Sequence, residues 1–243
     1  MAYQSILITG ATSGIGWALC QYYLAQKSDN QVIAVGRNQQ KLAELAALGC
    51  KTLSCDLTDR QAVLALNTQL KSYTQQLDLV ILNAGTCRYF DRQQQDNLTD
   101  TVEFNLQHNF FSMLYSVELV MPFLSEHAQL ALMGSMASDF PFQQAQGYGA
   151  SKAAVAYFAK SLQVDYPNIL VQLIQPGFVK TPLTDKNKFN MPFLISQEQA
   201  ALQIVKGINN QDKLIRFPKR LSFIISSLAA IPLKLQYKLA QKL

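Results

Sequence analysis

Short apolar, β-branched runs alternate along the chain with longer segments whose apolar positions recur every three or four residues. Ser5-Ile-Leu-Ile-Thr9 predicts a buried strand, followed by a helix from about Ile15 to Ala25. Gln31-Val-Ile-Ala-Val-Gly36 predicts a second strand, Lys41 to Leu48 a helix, and Cys50-Lys-Thr-Leu-Ser54 a third strand. Thr58-Asp-Arg-Gln61 has capping-box spacing and opens a further helix. Leu79-Val-Ile-Leu82 and Leu130-Ala-Leu-Met133 are the fourth and fifth strands, separated by a long helix from about Leu98 to Val120. A helix over Gly147 to Asp165 precedes a sixth strand, Ile169 to Ile174. A capping box at Ser196-Gln-Glu-Gln199 starts a helix before a seventh strand, Leu214-Ile-Arg-Phe217.

Strands apolar on both faces, alternating with helices, predict an α/β fold: one doubly wound parallel sheet of about seven strands with helices on both sides. Ligands in such sheets bind beyond the carboxyl ends of the strands. At 243 residues, with no repeat or low-complexity linker, the chain reads as a single Rossmann-type domain over 1–243, with 219–243 as an apolar and basic helical extension.

The end of the first strand carries Thr9-Gly10-Ala11-Thr12-Ser13-Gly14-Ile15-Gly16 and runs straight into a helix. Glycines there let the backbone approach a pyrophosphate, and the helix start offers N–H donors and a favourable dipole. The Gly-x-x-x-Gly-x-Gly spacing differs from the commoner Gly-x-Gly-x-x-Gly, and the absence of Gly-Lys-Ser/Thr excludes a P-loop. At the end of the second strand, where an NAD site usually places an acid, stand Gly36 and Arg37. No carboxylate repels a 2′-phosphate there and a guanidinium can pair with one, which predicts NADP(H) over NAD(H).

Composition narrows the alternatives. A hydrophobic fraction of 49% with 15% charged residues suits a globular chain that turns some apolar surface toward another subunit or a membrane. The net charge of +5 is modest and no basic-aromatic stripe occurs, which argues against nucleic-acid binding. Cys20, Cys50, Cys55 and Cys87 have no metal-ligand spacing and read as reduced thiols of a cytoplasmic protein, with no metal expected. Neither a secretory signal nor a membrane-spanning run is apparent.

Tyr148 and Lys152 stand one helical turn apart on one face. An ordinary tyrosine has a pKa of about 10, and a fixed cation beside it favours the phenolate, fitting the residue for proton transfer to an alcohol or carbonyl oxygen. Taken alone, the pair has the spacing of many surface pairs.

With the glycine-rich turn, Asn83-Ala84-Gly85 and Tyr148-x-x-x-Lys152 in this order, the chain resembles the short-chain dehydrogenase/reductase family, in its compact branch, from about Ser5 to Thr181. The resemblance implies Tyr148 as acid/base, with Lys152 binding the nicotinamide ribose and lowering the Tyr148 pKa. It implies Ser135 as hydrogen-bond partner of the substrate oxygen; Ser138 is close by, but only Ser135 matches the family offset from Tyr148. Asn105 would hold a water in a proton relay, and Asn83-Ala84-Gly85 would line the cofactor and stabilise the sheet. Asp56 and Leu57 would contact adenine. Pro176, Gly177, Val179 and Thr181 would meet the nicotinamide end. Leu82 stands where a second asparagine is frequent and Ser138 where glycine is usual, which bears on substrate-side geometry. The implied activity is NADP(H)-dependent hydride transfer with an apolar small-molecule carbonyl or alcohol substrate (fatty acyl, steroid-like, aromatic or simple ketone), in a homodimer or homotetramer. The alternative is a non-catalytic NADP(H)-binding sensor or scaffold.

Two segments complete the reading. Thr181 to Ile195, with Phe189, Met191, Pro192, Phe193 and Leu194, suggests an apolar lid. Arg220 is followed by an uncharged run to Leu233, broken by Pro232 and flanked by Lys219, Lys234, Lys238 and Lys242. Packing over the substrate pocket or a second subunit is the simpler expectation for this run. An interfacial anchor making peripheral membrane contact is the alternative.

Overall fold

The computed structural model describes residues 3–26, 30–91, 97–186 and 190–241. Phe189 and Lys242 lie outside the described residues. The order of elements is β1 (Ser5–Thr9), α1 (Gly14–Ala25), β2 (Gln31–Gly36), α2 (Gln39–Ala47), β3 (Lys51–Ser54), α3 (Arg60–Tyr73) and β4 (Leu77–Leu82). There follow α4 (Leu98–Leu106), a π-helical turn (Gln107–Phe111), α5 (Ser112–Val120), β5 (Leu124–Met133), α6 (Gln146–Asp165) and β6 (Leu170–Pro176). The chain ends with β7 (Val179–Lys180), β8 (Ile195–Ser196), α7 (Gln197–Asn209), β9 (Leu214–Phe217), α8 (Lys219–Ala230) and α9 (Leu233–Ala240).

Among the described residues, seven strands form one parallel sheet in the order β3-β2-β1-β4-β5-β6-β9. The order reverses between β1 and β4, which opens a crevice at their carboxyl ends. Ile6, Ile8, Leu79, Ile81 and Ala131 point to one side of the sheet, into a core shared with α1 and α7. Leu7, Val80, Leu82, Leu130 and Leu132 point to the other, against α3, α5 and α6. Both faces of every central strand are covered, which is why these strands read as continuous apolar runs rather than as alternating ones.

The ends of the elements mostly follow their local chemistry. Ser196 caps α7 with the reciprocal Ser196–Gln199 capping box expected from the sequence. At α3 the expectation is corrected: the cap is Asp59, whose carboxylate accepts from Gln61 and Ala62 N–H, and Thr58 instead donates to Asp56. Asp59 competes better for those amides because its carboxylate is charged. The long helix between β4 and β5 runs as expected but is broken in the middle by the π turn. There Ser112 N–H bonds back to the carbonyl of Gln107, five residues away.

Candidate functional site

A cleft of about 520 Å³ opens at the carboxyl ends of β1, β2, β4 and β6. Its floor is the turn from β1 into α1. Gly10 (φ 64°) and Gly14 (φ 54°) adopt left-handed backbone, which glycine enters without steric penalty. A Cβ on Gly10 would lie 2.8 Å from Ala84 Cα, so this turn must be glycine for β1 and β4 to close together. A Cβ on Gly14 would press on Thr181 at 3.0 Å, across the mouth of the cleft. Gly16 sits below the cleft wall, where any side chain would collide with the Gly10 carbonyl. The Ser13 side chain makes no capping bond, so it does not occupy the first N–H groups of α1. Small residues, unoccupied donors and a helix start together fit the pyrophosphate of a dinucleotide.

The expected flanks of this cradle come together. Thr12, Ser13, Ile15, Gly36, Arg37, Asp56, Leu57, Asn83, Ala84, Gly85, Pro176, Gly177, Val179 and Thr181 all line the cleft. Asn83 ties β4 to β1: its amide donates to the carbonyls of Thr9 (3.1 Å) and Gly10 (3.3 Å), while Thr9 Oγ1 accepts from the N–H of Asn83 and Ala84. Gly36 is required by the Thr12 methyl, which would lie 2.5 Å from a Cβ there. At the rim, Arg37 and Asp56 form an exposed ion pair at 3.3 Å. Asp56 is held below the usual carboxylate range, first by the Thr58 N–H and more weakly by Arg37.

At the far end, Tyr148 and Lys152 project from α6 against the end of β5. The Ser135 hydroxyl stands beside the Tyr148 hydroxyl and draws its pKa down, and it caps a short 3-10 turn by accepting from Ala137 N–H at 3.1 Å. The Lys152 ammonium donates to the Met133 carbonyl at 2.9 Å and lies 6.0 Å from the centroid of the Tyr148 ring. This geometry corrects the expected tuning. Burial pushes Tyr148 up to about 12, with the Ser135 hydrogen bond opposing, and burial pushes Lys152 down to about 8. Desolvation penalises both charged forms here, and the ammonium points at a main-chain carbonyl rather than at the phenol.

The relay asparagine is also corrected. Asn105 is fully buried one turn before the site, and its amide is consumed by both main-chain groups of Arg88 and the carbonyl of Thr101. It holds the loop after β4 in place. The residue beside Lys152 is Asn109, in the π turn. Its Oδ1 accepts from Thr86 N–H at 2.7 Å and its Nδ2 donates to Ser151 Oγ at 2.9 Å. A Cβ placed on Gly85 would meet both Asn109 Oδ1 (2.9 Å) and Lys152 Nζ (3.3 Å), so these groups converge on one glycine. Asn105 and Asn109 share a helix face in sequence; only the wide turn decides which one faces the site.

Several lining residues were not anticipated. Asn38, Thr86, His108, Ser112 and Thr184 all border the cleft. Of these only Thr184 had a local signal, three residues after Thr181, whose N–H it accepts at 3.0 Å. Ser138, in the usual glycine position, is fully engaged: its hydroxyl lies 2.7 Å from both the Ser135 carbonyl and Asp139 Oδ1, and it accepts from the Gln175 amide at 2.8 Å. Asp139 in turn pairs with Arg216 at 2.8 Å. In the segment read as a lid, Pro182 and Leu183 line the cleft whereas Phe193 and Leu194 face outward.

Comparison with known proteins agrees with this architecture. The profile of the family described as short chain dehydrogenase matches residues 4–191. An uncharacterized oxidoreductase of Myxococcus xanthus is 32% identical over 232 residues, covering 91% of this chain and 90% of that protein. A protein of Shigella flexneri named as an NADP-dependent 3-hydroxy acid dehydrogenase is 29% identical over 181 residues, 72% of each chain. Two solved structures share the fold. A short-chain dehydrogenase from Sphingobium yanoikuyae in complex with NADPH has a TM-score of 0.76 at 20% identity, covering 94% of this chain and 96% of that one. One from Burkholderia phymatum in complex with NAD has a TM-score of 0.79 at 18% identity, covering 92% of each.

Proposed function

The chain belongs to the short-chain dehydrogenase/reductase family and is an oxidoreductase of hydroxyl and carbonyl groups; from that premise we propose that it is an NADP(H)-dependent carbonyl reductase with Tyr148 as its acid. The observation that supports this most directly is the convergence of Tyr148 and Lys152 on the end of the dinucleotide cleft, with Ser135 just beyond the carboxyl end of β5 beside Tyr148.

The nicotinamide, when bound, supplies the hydride. Every other task falls to side chains. Ser135 donates to the substrate oxygen as negative charge grows on it. Tyr148, kept protonated by its burial, transfers its proton to the same oxygen. Lys152, which stands next to Asn109 across Gly85, would return the proton to Tyr148. Arg37, with no acid at position 36 and only an exposed pair to Asp56, would pair with the 2′-phosphate and set the preference for NADP(H). The apolar residues at the mouth of the cleft, Pro182 and Leu183 among them, favour an apolar carbonyl or alcohol. The exposed Phe111, Tyr157 and Val164 on the helices around α6 support a homodimer formed through that face.

The test is NADPH oxidation with a panel of ketones and aldehydes. Tyr148→Phe should lower turnover at least about 100-fold while NADPH still binds. Turnover that survives the substitution would remove Tyr148 as the acid. Nucleotide binding with no turnover on any carbonyl would favour a sensor.

A further inference from the structure

Helix α9 is seated with its polar side inward and its apolar side outward. Its buried stripe is Gln236 and Ala240, each 7% exposed, while Leu233, Leu235, Tyr237 and Leu239 face outward. The seating is fixed by polar bonds: the Gln236 amide donates to the carbonyls of Ala229 (3.0 Å) and Ile231 (2.8 Å), and Gln143 donates to the Ala240 carbonyl. Helix α8 buries Leu221 and Ile225 against Met136 and Phe140, and turns Phe223, 75% exposed, and Ile224 outward. The simpler expectation, packing over the substrate side, thus describes the inner face of α8 and leaves an outer face spanning both helices.

The charge of this region is as one-sided as its apolar exposure. Residues 213 to 243 contain seven Lys and Arg and no Asp or Glu, whereas the rest of the chain holds 14 basic against 16 acidic residues. The whole net positive charge of the protein therefore resides here. Lys219 and Arg220 open α8, and Lys234 and Lys238 stand one turn apart on α9, between Leu233 and Tyr237 on one side and Leu235 and Leu239 on the other. Among the described residues no helix is long and apolar enough to cross a membrane.

We propose that α8 and α9 form a docking face for an anionic lipid bilayer, entered by Phe223, Leu235 and Tyr237 and held by the four basic residues at the level of the headgroups. Exposed aromatic and leucine side chains interleaved with basic residues are what an interfacial helix requires. Long lysine stems cover apolar surface while their ammonium groups reach phosphate. A second copy seated on the same face is disfavoured by charge, because an isologous contact would oppose the same cations to themselves. An anionic surface neutralises them instead. Helix α8 starts directly after the carboxyl end of β9, so docking would bring the apolar substrate side of the cleft toward the bilayer.

The experiment is sedimentation of the full-length chain with vesicles of phosphatidylcholine alone and of phosphatidylcholine mixed with phosphatidylglycerol. Binding is expected to the mixed vesicles only, and to weaken as salt shortens the Debye length. Lys234→Gln with Lys238→Gln should weaken it about 25-fold, from about 1 kcal/mol per lysine. Phe223→Ser with Leu235→Ser should abolish it, with the thermal melt and NADPH affinity unchanged. Equal binding to neutral vesicles, or none to anionic ones, overturns the proposal. So does a change of sedimentation coefficient in either variant without vesicle binding, which would assign the face to a second copy.

Discussion

Arg37 and Asp56, from the ends of neighbouring strands, are paired across the outer lip of the cleft at 3.3 Å, both largely in solvent. In water such a pair contributes little, so Arg37 can exchange this partner for a phosphate at small cost. Arg37→Asp should weaken NADPH binding about 10- to 100-fold and leave NADH binding nearly unchanged. Asp56→Asn should tighten NADPH, because it removes both the competing partner and a repelling charge. Fluorescence titration with each nucleotide decides, and equal losses for the two would remove Arg37 as the selector.

Asn105 and Asn109 should separate by readout. Asn105→Ala strands buried main-chain groups of Arg88 and Thr101, so it should lower stability by about 1–3 kcal/mol. In a chain of this length that shifts the melting temperature by about 2–4 °C per kcal/mol. Asn109→Ala should reduce turnover by more than its loss of stability accounts for. Thermal melts alongside NADPH oxidation compare the two.

The buried pair of the site makes stability depend on alkaline pH in two opposite ways. Lys152 is pushed down from 10.5 to about 8, so between those values the unfolded chain holds a proton that the folded chain has released. The contribution of Lys152 to stability therefore rises with pH across that window, opposed from about pH 9 by Cys55 and Cys87, which burial pushes up to about 11, and the penalty of burying the ammonium is fully present below about pH 8. Tyr148 is pushed up from 10.0 to about 12, so the folded chain holds the extra proton and stability falls above pH 10. Lys152→Met should flatten the rise between pH 8 and 10 in denaturant titrations. Tyr148→Phe should leave that rise and reduce the fall above it, the remainder coming from Tyr3 and Tyr23, which burial also pushes up. A rise unaltered in Lys152→Met would place its cause elsewhere.

Asp139 and Arg216 form a half-buried pair that holds the turn after Ser135 to β9, with Arg216 also donating to Ser226 on α8 at 3.1 Å. Asp139→Ala and Arg216→Met should each destabilise the chain, the first more, because it leaves a guanidinium without its counter-charge. A double-mutant cycle should give a coupling of about 1–3 kcal/mol. Additive effects would show that the pair is not an energetic unit.

What could be read in advance was whatever local spacing determines. The seven strands, the glycines of the β1–α1 turn and the Ser196–Gln199 box are decided within a few residues, and they fall where the pattern puts them. The same holds for most residues of the cleft, because parallel strands deliver their carboxyl ends to one edge. Whatever depends on distant partners was not legible. The direction of the Tyr148 pKa depends on the depth of the pocket and on where the Lys152 ammonium finds an acceptor, which i,i+4 spacing does not contain. Asp139 and Arg216 are 77 residues apart and carry no local sign of each other. The choice of Asn109 over Asn105 depends on five residues adopting a wider turn than the helices around them.

That turn has a consequence for the evolvability of the site. A π segment holds one residue more than α-helical geometry would, so Gln107–Phe111 acts as a frame shift within an otherwise continuous helix. Deleting a single residue there would restore α-helical pairing, leave the faces of α4 and α5 in place and change only the direction in which the turn presents its side chains. Asn109 would swing away from Gly85 while every strand of the sheet kept its place. The scaffold and the proposed proton path can therefore be uncoupled by the loss of one codon.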